Sequence, residues 1–281
     1  MPELPEVETV RRTLKPAIGA VIGKVWTDGL GLHMGRKPPK AALKQLEGTT
    51  ITELRRIGKY LLLDTSGPQS LLVHLGMTGR LRLGPASEPR AAHTHVVLGL
   101  SAARKGGEAR ELRFVDARRF GQVDVVTRAT EREHVGLAVL GPDPLTDGID
   151  PVALHRLARA KKQMLKSFVL DQSVIAGVGN IYASEALWRA GLRPSKRSNK
   201  LTLVAVERLA KAIHEVFALA LDKGGTSLRD FVDAYGASGD NAEYLWVYDR
   251  AGQPCSRCKT LIKRTVHQGR ATYFCPTCQT P

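Results

Sequence analysis

The first residues after the initiator methionine pair a nucleophile with an acid. Proline is a small second residue that generally permits removal of Met1, which would leave Pro2 as a secondary amine beside Glu3. An N-terminal amine titrates at about pKa 7.7–8.0, so part of it is neutral and nucleophilic at working pH. Attack on a sugar aldehyde carbon would give a cationic iminium that favours elimination, while Glu3 could protonate the sugar ring oxygen. Taken alone, the same residues are more typical of an ordinary capped helix.

All four cysteines of the chain lie in its C-terminal tail, in two Cys-x-x-Cys pairs separated by sixteen residues. They are Cys255, Cys258, Cys275 and Cys278. Zinc prefers four tetrahedral thiolate ligands on two such knuckles, so the spacing predicts one structural zinc ion, with two disulfides as the alternative. The stretches 261–266 and 271–274 can pair as a hairpin around Gln268-Gly269, which would place Arg270 just past the turn.

Two glycines precede a helical pattern in the middle of the chain. Gly177 and Gly179 stand directly before Asn180, where apolar residues begin to recur at helical spacing. A tight turn at the start of a helix presents backbone N–H groups, which bind phosphate. A Gly-x-Gly pair alone is also compatible with a simple turn.

The charge balance favours a polyanionic partner. Lys and Arg number 42 against 27 Asp and Glu, which gives a net charge of +15. Nucleic acid fits this excess, although a membrane surface or plain solubility would fit it too. No apolar run approaches the roughly 20 residues of a membrane span, and charges interrupt the N-terminus from Glu3 onward. Because disulfide proteins rarely crowd their cysteines into one tail, we expect a cytoplasmic metal protein.

The positioning elements change in type along the chain. Residues 20–130 predict short strands with glycine-rich turns, typical of a β-sandwich or barrel. The clearest strands are at 21–26, 60–64, 71–75 and 95–98, with turns at 65–68 and 105–107. From Asp150 the apolar period becomes helical, with one helix after Pro151 and a long one at about 202–222.

Several motifs together resemble one enzyme family. The string Pro-Glu-Leu-Pro-Glu-Val-Glu-Thr-Val-Arg-Arg at 2–12 resembles the start of bacterial formamidopyrimidine-DNA glycosylases, which excise oxidised purines. The Gly-Met-Thr-Gly run at 76–79 and the Asp-Ala-Arg-Arg-Phe-Gly run at 116–121 resemble the family's loops that enter the duplex. The string 171–185 is similar to its helix–two-turns–helix element. The resemblance covers essentially the whole chain in the correct order.

The resemblance implies catalytic roles that the residue pattern leaves open. Pro2 would be the Schiff-base nucleophile and Glu3 the proton donor. Lys59, which alone would be a surface lysine opening an apolar strand, would touch the phosphates of the lesion and assist β-elimination. Arg270 would reach the lesion and assist δ-elimination. The implied function is base-excision repair of formamidopyrimidines and 8-oxoguanine in duplex DNA.

The resemblance also implies a set of DNA contacts. An enzyme that acts on a base inside a duplex must extrude that base and fill the space. Met77 and Phe120 would form the wedge and Arg118 would bond the orphaned partner base, although alone they are typical of core residues and a surface charge. The expected backbone contacts are His93, Lys161, Asn180, Gly177 and Gly179. A dipole role at a helix end is the alternative for Lys161.

We therefore expect an α+β fold of two domains. An N-terminal β-sandwich flanked by helices would be joined by a hinge at 140–145 to a helix–two-turns–helix domain that ends in a zinc ribbon. The expected bounds are 1–132 for the catalytic domain, 133–149 for the hinge, 150–238 for the helical domain and 239–281 for the end of the lesion loop and the zinc ribbon. The expected partner is duplex DNA with oxidised bases or abasic sites, bound in a basic cleft by a monomer that has no membrane contact.

Two rival functions stay open at this point. One is an endonuclease VIII-like glycosylase of the same fold, which prefers oxidised pyrimidines. The other is a catalytically silent protein that binds damage. One departure bears on lesion preference: the family's lesion-covering loop usually carries a glycine–aromatic–glutamine pattern, where residues 240–243 are Asp-Asn-Ala-Glu. The family's Tyr-Gly-Arg run is likewise Tyr-Asp-Arg at 248–250.

Overall fold

The computed structural model describes residues 1–101, 108–228 and 230–280, so the turn expected at 105–107 lies outside the described residues. Two compact units are present. The first consists of Met1–Ala138 with Lys223–Asp240, and the second of Val139–Asp222 with Asn241–Pro281. Within the described ranges, no helix has the length and apolar composition that crossing a membrane requires.

Among its described residues, the first unit contains two helices and eight strands. They are α1 (Leu4–Thr13), β1 (Ile22–Thr27), α2 (Lys40–Lys44), β2 (Ile51–Ile57), β3 (Tyr60–Thr65), β4 (Gln69–His74), β5 (Arg80–Pro85), β6 (Thr94–Leu100), β7 (Arg110–Val115) and β8 (Gln122–Thr127). Short 3-10 turns lie at Lys15–Ala17, His33–Gly35 and Arg128–Glu133.

The strands form two antiparallel sheets, in the orders β1-β6-β7-β5 and β2-β3-β4-β8. Alternate residues of both sheets enter one hydrophobic cluster, as Ile22, Leu112 and Leu63 illustrate. Val7 and Val10 of α1 belong to the same cluster, so the first helix is held on the sandwich by buried apolar contacts. The predicted β-sandwich is confirmed.

Four strands are not recognised from the sequence: β2, β5 and β7, which carry two or three charges each, and β8, which carries one. Charged side chains of these strands are paired in the fold. Arg56 of β2 is buried and bonds Glu8 at 3.2 Å, and Arg113 of β7 is buried and bonds Glu111 at 2.8 Å. A buried charge costs little only when it is paired in this way, and the partner of Arg56 lies far away in the chain.

The described part of the second unit contains four helices and one hairpin. They are α3 (Pro151–Ala160), α4 (Leu165–Leu170), α5 (Asn180–Arg189), α6 (Leu203–Asp222), β9 (Lys263–His267) and β10 (Arg270–Phe274), with 3-10 turns at Ser198–Lys200 and Asn241–Tyr244. The Asp150 side chain caps α3 by accepting from the Val152 N–H at 2.9 Å. Helix α5 packs on α6, where the rings of Tyr182 and Phe217 meet edge to face at 5.3 Å.

The C-terminal hairpin has the predicted register. Arg270 pairs with His267, and the turn residues Gln268 and Gly269 both have positive φ, 48° and 72°. Two positive φ values define the tight hairpin turn that matches the twist of paired strands. A small cluster of Trp188, Val247, Cys255, Ile262, Tyr273 and Cys275 lies under the hairpin.

The segment Lys223–Asp240 belongs to the first unit, whereas the sequence analysis places 223–238 in the helical domain. Helix α6 ends at Asp222, and Phe231 and Ala234 then join the core of the sandwich. The Leu83 N–H donates to the Ala234 carbonyl at 3.0 Å. The expected lesion-covering stretch is therefore divided, with 236–240 in the first unit and the 3-10 turn from Asn241 in the second. The expected domain bounds stay a prediction.

Candidate functional site

Glu3 is fixed by the start of α1. It is the N-cap residue, its side chain accepts from the backbone of Glu6, and the Glu6 Oε2 atom accepts from the Glu3 N–H at 2.8 Å. This reciprocal pair is a capping box, with Pro5 in the first turn as the sequence predicts. Pro2 and Glu3 are buried, while Met1 is 53% exposed. The predicted acid therefore has one fixed position, directly beside Pro2.

The other oxygen of Glu6 ties the segment 223–240 to the same helix start. Glu6 Oε1 accepts from the Thr226 N–H at 2.8 Å. Gly225 has φ +90°, and a Cβ there would lie 2.9 Å from the Phe231 ring and 3.3 Å from the Glu6 side chain. Only glycine satisfies both the backbone angle and the space. The residues after α6 are thus held against the cap that positions Glu3.

Lys59 lies on the two-residue turn between β2 and β3. Gly58 takes the first position with φ +57°, as glycine does in tight hairpin turns, and Lys59 is only 7% exposed. The Arg56 guanidinium donates to the Gly58 carbonyl at 3.0 Å and pairs with Glu8 of α1. Arg56 therefore links the turn that carries Lys59 to the helix that follows Glu3. No sequence motif points to this arginine.

The ion pair between Arg56 and Glu8 depends on the ionisation of the Glu8 carboxyl. Burial raises the pKa of the Glu8 carboxyl, but hydrogen bonds from Arg11 and Arg12 outweigh burial and lower the pKa to about 2. Glu8 is therefore an anion across the working pH range and can hold Arg56. The ion pair fixes the relative position of α1 and β2.

The pKa of His74, at the end of β4, is affected by the charge of Lys59. Burial, followed by the positive charges of Lys59 and His33, lowers the pKa of His74 to about 4. The imidazole is therefore neutral, and its Nδ1 atom accepts from the Gly76 N–H at 3.2 Å. The Tyr60 ring lies 4.8 Å away. This histidine, which the sequence analysis did not single out, connects Lys59 to the loop that carries Met77.

The residues of the predicted wedge are on the surface. Met77 is 38% exposed and Phe120 is 43% exposed, so neither is a core residue. The Arg118 guanidinium lies 4.7 Å from the centre of the Phe120 ring, and His93 is exposed with φ +63°. The two loops touch, since a Cβ on Gly76 would lie 2.4 Å from the Phe120 carbonyl carbon. The structure thus brings Met77, Arg118 and Phe120 together.

In the second unit, Arg270 opens β10 beside an anchored carbonyl. The Ala271 carbonyl accepts from Asn180 Nδ2 at 3.0 Å and from Lys166 Nζ at 2.7 Å. Lys166 is 1% exposed and also donates to Thr272 Oγ1 at 2.9 Å. Asn180 and Arg270 are therefore brought together by one backbone carbonyl. Lys166 is not predicted from the sequence, because a lysine on a short helix carries no signal of burial.

The remaining predicted phosphate contacts surround the start of α5. Gly177 and Gly179 are buried, Gly177 has φ +88° and Gly179 is the N-cap residue. Lys161 is paired here, with Nζ 2.6 Å from Asp171 Oδ2 and 3.1 Å from Ser173 Oγ. A phosphate at Lys161 would therefore compete with the Asp171 carboxylate.

The four cysteines form a site for one zinc ion. Their Sγ atoms all lie within 4.8 Å of one another, with 3.4 Å between Cys258 and Cys275 and 3.9 Å between Cys255 and Cys278. Tetrahedral zinc with Zn–S bonds of about 2.3 Å separates its sulfurs by roughly 3.8 Å. The cysteines are free thiols, and these separations are far above a disulfide bond of about 2.05 Å. The donor set fits the predicted structural zinc.

Family models match three consecutive stretches of the chain. The formamidopyrimidine-DNA glycosylase N-terminal domain matches residues 1–123 and the formamidopyrimidine-DNA glycosylase H2TH domain matches residues 140–232. The zinc finger found in FPG and IleRS matches residues 252–281. The order of these matches follows the order of the sandwich, the helices and the cysteine tail.

Relatives of known name match over full length. A formamidopyrimidine-DNA glycosylase of Methylococcus capsulatus is 46% identical, with 99% of this chain and 100% of the relative covered, and one of Xanthomonas axonopodis pv. citri is 42% identical with the same coverage. Among solved structures, Lactococcus lactis Fpg bound to abasic-site DNA has a TM-score of 0.89 at 32% identity, with 99% and 100% of the two chains covered. The MutM (Fpg) protein of Thermus thermophilus has a TM-score of 0.86 at 40% identity, with 99% and 98% covered. With these matches across its whole length, the chain belongs to the formamidopyrimidine-DNA glycosylase family.

Proposed function

We propose that this chain is a bifunctional DNA glycosylase and abasic-site lyase that removes oxidised purines from duplex DNA. The observation that carries the proposal is the buried Glu3 carboxyl, fixed by the capping box of α1 directly beside Pro2. Supporting it, the relatives are named formamidopyrimidine-DNA glycosylase, and one solved neighbour is Lactococcus lactis Fpg with DNA that contains N7-benzyl-Fapy-dG. The lesions we propose are formamidopyrimidines and 8-oxoguanine.

The first step is displacement of the damaged base. After removal of Met1, the Pro2 nitrogen attacks the sugar C1′ and the bond from C1′ to the base breaks, so the base leaves with the bonding pair and takes up the proton that the Pro2 nitrogen loses. Glu3 donates its proton to the ring oxygen, the sugar ring opens and an iminium forms between Pro2 and C1′. The capping box supports this role because it holds the carboxyl in one place before DNA arrives.

The second stage is cleavage of the strand. The iminium accepts electrons as a C2′ proton is lost and the 3′ phosphate departs; a further elimination releases the 5′ phosphate and leaves a one-nucleoside gap. Lys59 contacts the lesion phosphates and assists the first elimination, and Arg270 assists the second. The tight Gly58-Lys59 turn and the anchored Ala271 carbonyl support these assignments, because each fixes the residue's backbone.

The grip on DNA is mainly phosphate contact. His93, Lys161, Asn180, Gly177 and Gly179 bind the backbone, while Met77, Arg118 and Phe120 fill the space left by the extruded base. The net charge of +15 supports a polyanionic partner. Cys255, Cys258, Cys275 and Cys278 would hold zinc, which when bound contributes folding free energy to the ribbon and, because all four ligands are protein, no reacting water. We place the protein in the cytoplasm, on nucleoid DNA.

The test is cleavage of a panel of duplexes. Each contains one oxidised purine, one oxidised pyrimidine or a preformed abasic site, and the protein is first shown by mass to lack Met1. We expect base release from the oxidised purines and products from which both phosphates have been eliminated. Glu3→Gln should lose base release but retain part of the cleavage at the abasic site. A preference for oxidised pyrimidines, or binding without release of any base, would overturn the proposal.

A further inference from the structure

One buried carboxylate joins the two loops of the wedge. Asp116 is 0% exposed. Its Oδ1 atom accepts from the Thr78 hydroxyl at 2.6 Å, across to the loop that carries Met77. Its Oδ2 atom accepts from the Gly121 N–H at 2.7 Å, and the Arg118 N–H lies 3.3 Å from Oδ1. The Asp116 side chain thus bonds both ends of the 116–121 loop and the 76–79 loop that carries Met77.

The backbone of Asp116 extends the connection to His93. The Asp116 N–H donates to the His93 carbonyl at 3.0 Å, across the residue whose φ is +63°. The Asp116 carbonyl lies 2.9 Å from His95 Nε2, and the other ring nitrogen of His95 lies 2.6 Å from Asp28 Oδ2. Asp116 therefore contacts, directly or through one neighbour, the loops of Met77, Arg118, Phe120 and His93.

The structure is tightly packed around Gly121. A Cβ on Gly121 would lie 2.5 Å from the Phe114 ring and 3.1 Å from Asp116 Oδ2. A buried carboxylate needs its donors, since an unsatisfied buried charge is far more costly than an exposed one. The wedge side chains that project from these two loops are exposed, and ordering them in DNA costs conformational entropy. Loops that are already held rigidly by Asp116 reduce the entropy cost of binding.

We infer that Asp116 is a positioning residue that holds Met77, Arg118 and Phe120 as one rigid wedge and acts on opening of the duplex, not on the chemistry at C1′. The inference rests on the proposed function, because it assigns Asp116 a part in base extrusion. The carboxylate is 0% exposed, so we assign it no contact with the substrate or the reacting atoms. Its effect should therefore depend on whether the substrate has a base stack to open.

The test compares three substrates with Asp116→Asn. They are a lesion in duplex DNA, the same lesion in single-stranded DNA and a preformed abasic site in duplex DNA. The asparagine keeps the size but removes the charge and turns one acceptor into a donor, so either the Gly121 N–H loses its acceptor or the bond with the Thr78 hydroxyl must reverse. We expect base release from the duplex to fall by about ten- to hundredfold, the worth of one hydrogen bond to a buried charge. Release from single-stranded DNA and abasic-site cleavage should change little.

Asp64→Asn is the matched control. Asp64 is also a buried carboxylate of the first unit, on β3, where it accepts from Arg55 and Ser70 outside the wedge loops. It should affect all three substrates equally, through stability alone. Equal losses on the three substrates with Asp116→Asn, or no loss, would overturn the inference. If that variant does not fold, Thr78→Val removes the hydroxyl that donates to Asp116 and accepts from the Arg118 N–H at 3.3 Å, and it should give the same pattern more weakly.

A readout without catalysis separates this inference from the proposed function. A 2-aminopurine placed opposite a stable abasic analogue brightens when a wedge unstacks it. The wild-type protein should brighten it, and Asp116→Asn should brighten it less, even if no lesion is ever excised. In the same assay Met77→Ala and Arg118→Ala should be coupled in the wild-type background and additive in the Asp116→Asn background. Additivity in both backgrounds would contradict a single rigid wedge.

Discussion

The two compact units hold their proposed site residues in different ways. In the first, Pro2 and Glu3 precede a helix whose apolar face enters the core of two sheets, and Arg56 ties the Lys59 turn to that helix. In the second, Arg270 stands on a two-stranded hairpin whose small core includes the zinc ligands Cys255 and Cys275. A hairpin of two strands is marginally stable alone.

The proposed site residues of the two units therefore depend on the metal to different degrees. The proposed nucleophile and acid rely on protein groups only, so they should survive loss of the metal. The position of Arg270 relies on the ribbon, although Lys166 and Asn180 also hold the adjacent Ala271 carbonyl. Loss of the metal should therefore weaken DNA binding and the second elimination, which Arg270 assists, before it disturbs the reaction of Pro2.

The largest expected effect comes from Cys258→Ser. Structural zinc in an isolated finger is worth about 10–16 kcal/mol of apparent binding, far more than a hairpin can supply. We expect no bound zinc, loss of tight DNA binding and a first unit that still melts cooperatively. Metal content, calorimetry and DNA affinity measure these outcomes. Arg270→Ala is the control, which should keep zinc and the Pro2 adduct but weaken the last elimination. Normal binding by the cysteine variant would show that the ribbon is dispensable.

Lys161→Ala should weaken binding without altering recognition. If Lys161 leaves Asp171 to bind one phosphate, the slope of log affinity against log salt should become shallower by about 0.9. Damaged and undamaged duplexes should lose affinity alike, as measured by titration at several salt concentrations. Lys162→Ala removes the same charge from the exposed neighbouring residue and should change the slope less. A loss confined to damaged DNA would instead make Lys161 part of lesion recognition.

A smaller effect should appear at His74. Its pKa of about 4 lies below the ordinary 6.5, so between these values the unfolded chain binds a proton that the folded protein does not. This histidine therefore lowers stability as pH falls from about 6.5 to about 4, and its cost is constant below. Lys59→Met should raise the pKa of His74 but keep it below 6.5, because burial is the larger cause. NMR titration of the His74 ring measures this pKa. Lys24→Met, at an exposed position of β1, is the control. An unchanged pKa would mean that Lys59 does not face His74.

The smallest effect is expected at Asp249, which stands where the family's Tyr-Gly-Arg run has glycine. Asp249 has φ +59°, a left-handed angle that costs roughly 1–2 kcal/mol for most residues and less for aspartate. Tyr273 donates its hydroxyl to Asp249 Oδ1 at 3.1 Å and offsets part of that cost. Asp249→Gly should therefore change the free energy of unfolding by less than about 1 kcal/mol. Asp249→Ala keeps the angle but loses the bond, and should be less stable; the reverse order in thermal melts would refute this explanation.

The sequence predicts those features of the fold and of the site that depend on residues close together in the chain. The capped start of α1, the hairpin around Gln268 and the zinc spacing all rest on neighbouring residues, and the structure has them. What it does not predict are the polar residues that join distant segments. Arg56 meets Glu8, Asp116 meets Thr78 and Lys166 meets Ala271 across 48, 38 and 105 residues. No periodicity encodes such pairs, because each becomes meaningful only once the sheets and helices have packed.

The most direct test of the account is the identity of the covalent adduct. Protein shown to lack Met1 is mixed with duplex DNA that contains an oxidised purine, borohydride is added, and the cross-linked peptide is mapped by mass. We expect an adduct on the Pro2 nitrogen, which also forms at a preformed abasic site and is blocked by any residue left before Pro2. An adduct on Lys59, or trapping that persists with Met1 retained, would contradict the assignment of Pro2 as the nucleophile.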